Sequence, residues 1–179
     1  GSTTFPVRFH VDGNRIVDPS GNPQILRGVV AMDPIVQVWP GNPDEGSWNE
    51  EYYIEMAKWG AKIIRVQVHP NTWRKEKAKA IEIVEQTVEW IGKQGMYVIL
   101  DWHSIGFVPT GFFGDLGHRQ DLLKTTEEEM TKFWVQFASH FADNDIVAFY
   151  ELFNEPVTSQ GEQINTRNDW ILWRDMQEG

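Results

Sequence analysis

Four short apolar runs recur along the chain, each followed by a longer stretch of helical period. The runs are ILRGVVA (25–31), AKIIRVQV (61–68), MYVILDW (96–102) and IVAFYELF (146–153), all near-continuous in apolar and β-branched residues. Between and after them, apolar positions recur at helical spacing near 50–59, 75–94, 126–142 and 167–178. Gly60 and Gly95 follow two of these stretches as expected C-caps. Ahead of the first unit, FHV and RIV flank Asp12-Gly13, a strong hairpin signal, so residues 7–25 are read as an N-terminal β-hairpin and its turn. Strand, helix, strand, helix with strands apolar on both faces means a parallel sheet covered by helices.

Side-chain parity decides between an open and a closed sheet. Residues two apart on a strand share a face, which aligns Arg65 with Gln67, Asp101 with His103, and Glu151 with Glu155; Arg27 stands on the first run. Polar groups thus recur on one face of otherwise apolar strands. A doubly wound sheet has little use for them, whereas a barrel of (β/α)8 TIM type encloses that face beneath an active site at the C-terminal strand ends. The expected fold is therefore α/β, with this chain supplying about four βα units, a half-barrel, in one domain over 1–179. Gly1-Ser2 reads as an expression remnant, and residues 1–6 are expected to lie outside the fold.

Composition narrows the partners. A formal charge of -10 argues against nucleic acid and anionic membrane surfaces. Without cysteine there is no disulfide framework and no thiol nucleophile, which suits a secreted and a cytoplasmic protein alike. The nine Trp, ten Phe and four Tyr exceed what a core readily absorbs. Trp39, Trp48, Trp73, Phe112 and Phe113 fall on expected loops at one end of the strands, where they could pack or stack on a ligand.

His103, Asn154 and Glu155 all fall at strand C-termini. A carboxyl there, partly desolvated, can serve as a general acid; the plainer reading of Glu155 is a loop or capping residue. Asn154 has the wrong parity to join it unless the chain bends, and Pro156 forces the chain out of the sheet. Glu151, deeper in its strand, reads as a buried partner of Arg27 or Arg65, and Arg65 either as that ion pair or as the group orienting a catalytic carboxylate. Asp101 and His103 could ligate a metal, though no second histidine cluster accompanies them. His10, His118 and His140 read as surface or packing residues, His69 as a candidate for lining the cleft, and the acidic run at 127–129 as a helix N-terminus.

Taken in order, ILRGV, IIRVQV, VILDWH and above all YELFNEP resemble the first four barrel strands of glycoside hydrolase family 5, the cellulase-type retaining glycosidases. The resemblance implies Glu155 as acid/base, Asn154 holding a sugar hydroxyl, His103 lining the same subsite and Arg65 orienting the nucleophile. It also implies a β-linked polysaccharide as substrate, no cofactor, and a secreted protein whose signal peptide this chain lacks. RVQVHP departs from the family's more usual Arg-hydrophobic-Pro ending. The family's second catalytic carboxylate belongs to a later strand, beyond what four units supply. Two expectations follow: either a homodimer completes the barrel, or the chain is a non-catalytic fragment that binds glycan or only self-assembles.

Overall fold

The computed structural model describes residues 4–42, 45–111, 113, 119–157 and 167–178. Strands β1 (His10–Asp12) and β2 (Arg15–Val17) form the expected antiparallel hairpin, turning at Gly13 and Asn14 with Gly13 at φ 60°. The main sheet is parallel and takes its strands in chain order: β3 (Gly28–Ala31), β4 (Ile63–Val68), β5 (Tyr97–Trp102) and then the strand over Val147–Glu151. A strand order that never reverses sends every crossover the same way, so the helices gather on one face. This is the arrangement of half a (β/α) barrel.

Before β4 lie α1 (Pro34–Gln37) and α2 (Glu50–Lys58), the latter N-capped by Asn49, whose side chain accepts from the Tyr52 amide. Between β4 and β5 runs α3 (Pro70–Lys93), kinked at Glu76. It begins a turn and more before the expected position, because Pro70 is tolerated in the first helical turn, where no intrahelical N–H bond is required. A two-residue strand β6 (Ile105–Gly106), α4 (Gln120–Leu123) and α5 (Glu127–His140) lead to β7, the Val147–Glu151 strand; beyond it come β8 (Glu155–Pro156) and α6 (Arg167–Glu178). Thr126 caps α5 by accepting from the Glu129 amide, and the acidic first turn suits the helix dipole as expected. Gly60 and Gly95 end α2 and α3 at φ 86° and 71°, a conformation that favours glycine.

The core lies between the sheet and its helices. Ile64, Val66, Val98, Leu100 and Trp102 pack against Val84, Val88 and Ile91 of α3 and Phe133 and Phe137 of α5, all buried. The opposite face carries Arg65, Gln67, Asp101 and Glu151, in register as Gln67↔Asp101↔Glu151. Arg27 does not join them. The register sets Val30 beside Arg65, and Arg27, one residue before β3, is exposed, so the inner charge contact is made without it.

The N-terminal segment also departs from expectation, since Phe5 is part of the fold: its ring meets Tyr97 at 4.9 Å between centroids. Phe9 packs on Tyr97 at 4.7 Å and on Phe149 at 6.2 Å, while Arg8 donates to Asp145 and to the Ala142 carbonyl. An aromatic-rich segment has apolar area to bury, and the base of the inner face is where it finds cover.

Candidate active site

The polar groups converge on Arg65. Its Nε and Nη2 donate to the two oxygens of Glu151 at 2.7 Å each, Nη2 also donates to Asn154 Oδ1 at 2.8 Å, and Asp101 Oδ2 lies 3.0 Å away. The guanidinium is held even more firmly protonated than usual by its bonds to Glu151 and by the charges of Asp101, Glu151 and Glu155, against the cost of its burial. Burial pushes the Asp101 carboxyl up, and the His103 hydrogen bond with the His103 and Arg65 charges pulls it back in part. Asp101 accepts from His103 Nδ1 at 2.6 Å. With that proton on Nδ1, Nε2 accepts from the Gln67 amide at 3.2 Å, which fixes one tautomer.

The bend that Asn154 required is present. After β7 the chain leaves the sheet, and the Asn154 and Glu155 amides donate to the carbonyls of Trp102 and Ser104 at 3.2 and 3.1 Å. β8 then pairs in parallel with β6, while Phe153 is buried against Trp173. Those bonds bring Asn154 and Glu155 to the strand-end rim beside His103, although single-strand parity separates them. Glu155 itself is exposed rather than partly desolvated, because the four-stranded sheet leaves its inner side open.

A second polar group occupies the adjacent strand ends. Asp33, fully buried, accepts from the His69 ring and amide and from the Thr72 hydroxyl. Of the two residues that touch His103 from β4's end, Gln67 was seen in the sequence only as sharing Arg65's face and His69 only as lining the cleft. A run of two polar positions in an otherwise apolar strand was the available signal.

The aromatics part company. Trp73 lies on α3 and not on a loop, 3% exposed, with its indole N–H on Gln136 and its ring edge-on to Trp102 and Phe133; it is a core residue with no free face for a ligand. Trp48 bonds Thr87 and packs on Trp90. Trp39 is half-buried, with the Lys75 ammonium 5.0 Å above its ring. Phe113 is buried, and Phe112 and His118 lie outside the described residues. His140 pairs with Glu85 and His10 is exposed. Among the described residues no three His, Cys, Asp or Glu side chains are grouped as a metal site, and no helix is long and apolar enough to cross a membrane.

Comparison with known proteins adds to this geometry. The model of one family, cellulase (glycosyl hydrolase family 5), matches residues 17–178. The cellulase/esterase CelE of Acetivibrio thermocellus is 28% identical over 93% of this chain and 22% of its own length. The structure of the beta-glucanase SdGluc5_26A from Saccharophagus degradans, in complex with cellotetraose, superposes with a TM-score of 0.80 at 29% identity, over 96% of this chain and 49% of its own. The catalytic domain of Thermobifida fusca endoglucanase Cel5A shares the fold at a TM-score of 0.66 and 21% identity, over 96% and 47%. The chain thus spans about half the length of these solved structures and under a quarter of CelE.

Proposed function

Since the chain belongs to glycosyl hydrolase family 5, we propose that it carries the acid/base half of a two-carboxylate site hydrolysing a β-linked polysaccharide of the cellulose or β-glucan type. The observation that carries this reading is the 2.8 Å bond from Arg65 to Asn154, made where the turn beyond β7 delivers Asn154 and Glu155 side by side. Glu155 protonates the leaving glycosidic oxygen and afterwards takes a proton from the attacking water. Asn154, its carbonyl committed to Arg65, has an amide nitrogen buried without a partner, which turns outward to meet a sugar hydroxyl, and His103 lines the same subsite.

Neither inner-face carboxylate is available as nucleophile: Glu151 is bound at both oxygens by Arg65, and Asp101 serves His103 and Arg65. The attacking carboxylate comes from outside this network. Once supplied about 5–5.5 Å from Glu155, it attacks the anomeric carbon, and water releases the glycosyl-enzyme with retention. No step calls on a metal or an organic cofactor. A polysaccharide too large to enter a cell places the work outside it.

The reading extends to assembly. β3 and β7 are the unpaired edges of the sheet, with Val30 52% and Tyr150 37% exposed along them. A second copy related by a two-fold axis closes the barrel by pairing each β7 with the partner's β3. That closure sets the two Glu155 on opposite sides of the rim, too far apart for a retaining pair, so the homodimer is feeble or inverting in its chemistry. The exposure of Glu155 favours a second reading, a non-catalytic half-barrel that binds glycan or only self-assembles. Turnover of soluble β-glucans by rigorously purified protein, beside Glu155→Gln, decides. Activity lost in the variant supports the acid, and parent activity no higher than the variant's leaves the binding reading.

A further inference from the structure

At the C-terminal ends of β3, β4 and β5 three side chains stand in a row. Asp33 caps α1 by accepting from the Ile35 amide at 2.8 Å, and its Oδ2 accepts three further bonds: from the His69 amide at 2.9 Å, His69 Nδ1 at 2.8 Å and the Thr72 hydroxyl at 2.7 Å. A buried carboxylate with so many donors holds the imidazole in one orientation, since turning the ring over forfeits the Nδ1 bond and leaves Asp33 short of a partner. The His69 and His103 rings then meet edge to face, 4.9 Å between centroids at 79°.

His103 is already bonded at both ring nitrogens, to Asp101 and to Gln67. Bonds in the plane of a ring still permit it to rock about the line joining the two nitrogens; contact from a second ring opposes that rocking. Gln67 and His69, two residues apart where β4 gives way to α3, thus both stand against one histidine.

We infer that Asp33 and His69 are positioning residues for His103: the carboxylate fixes the His69 ring, and that ring keeps His103 in the orientation in which it faces the sugar. The inference rests on the glycan-binding reading of this face and adds to it the means by which His103 is held. Asp33 acts at one remove and meets no substrate itself.

The test reads the His103 Nδ1 proton and ring nitrogens by NMR in the intact chain, with cellotetraose as the binding probe. The parent holds one tautomer with a slowly exchanging Nδ1 proton. In His69→Ala that proton exchanges with water about tenfold faster, and cellotetraose binding weakens by a similar factor, the scale set by one edge-to-face aromatic contact. His69→Phe keeps a ring against His103 but not its tie to Asp33, so its exchange falls between that of the parent and that of the alanine variant, which a merely structural role at the end of β4 does not explain. Asp33→Asn, which loosens His69, speeds exchange as well. Unchanged exchange in His69→Ala overturns the inference, as does a folded His69→Phe that exchanges as fast as the alanine variant. If His69→Ala does not fold, unchanged exchange in Asp33→Asn overturns it. If the parent binds no cellotetraose, the glycan reading fails, and the exchange of the His103 proton still decides the positioning.

Discussion

Arg65 grips Glu151 across an intervening strand. The two side chains belong to β4 and β7, with β5 between them, and they meet through two parallel bonds of 2.7 Å. Such a fork-to-fork pair adds direction to charge, and here the same guanidinium also holds Asn154 and Asp101. One cation thus links the depth of the sheet to the rim at its C-terminal strand ends.

Removing Glu151 leaves that cation mostly buried with half its acceptors. Glu151→Ala is expected to destabilise the fold by about 3 kcal/mol, the lower end for a broken buried pair because Glu151 remains partly exposed. In a chain of this size that lowers the melting temperature by roughly 6–12 °C. Glu151→Gln, which retains one acceptor, is expected to fall between. Denaturant unfolding of the three proteins checks the order.

The two tryptophans first grouped together are expected to separate. Trp73→Ala opens a cavity among Trp102 and Phe133 and costs about 3–5 kcal/mol, so its signature is lost stability. Trp39→Ala, on a half-buried ring, leaves the fold largely intact and weakens oligosaccharide binding. Calorimetric titration with cellotetraose beside thermal unfolding separates the effects, and undiminished affinity in Trp39→Ala removes that ring from the site.

Asp101 gives a pH dependence with a definite sign. Burial raises its pKa above the ordinary 3.8, so in the window just above that value the folded state holds more protons than the unfolded one. Its contribution is then fully present below about pH 3.8 and is lost as pH rises through the raised folded pKa. The stability of the parent minus that of Asp101→Asn is therefore expected to fall across this window as pH increases. A difference that rises instead means that His103 and Arg65 outweigh burial.

Assembly has its own measurement. Light scattering after size exclusion at micromolar concentration is expected to give twice the 20.7 kDa of one chain. A mass equal to one chain defeats the two-fold closure. Lysine substitutions at Val30 and Tyr150, on the unpaired edges, are expected to shift the protein to the monomer.

Much of this is legible in the sequence, and the exceptions share a cause. Near-continuous apolar runs found the four strands of the main sheet, and helical spacing found α6 within its observed bounds. Parity correctly joined Arg65 to Glu151, but it could not tell that Val30, and not Arg27, stands beside Arg65; parity orders residues within a strand, and only register orders them between strands. Trp73 falls outside the helix expected from residue 75, whereas Pro70 opens α3 and carries Trp73 into it. Asn154 and Glu155 were picked out by their motif, yet what brings them together is a pair of backbone bonds to Trp102 and Ser104 that no local pattern announces. Asp33 and His69, far apart in the chain, carried no signal of their partnership.

The N-terminal segment has a mechanical consequence. It is anchored beneath β5 by Phe5 and Phe9 against Tyr97, and at the turn before β7 by Arg8 on Asp145, and it continues into the hairpin that feeds β3. It spans the base of the arc as a string spans a bow. The arc is thus tied at both ends: at its base by this segment, and at the opposite rim by the Asn154 and Glu155 amides on the Trp102 and Ser104 carbonyls.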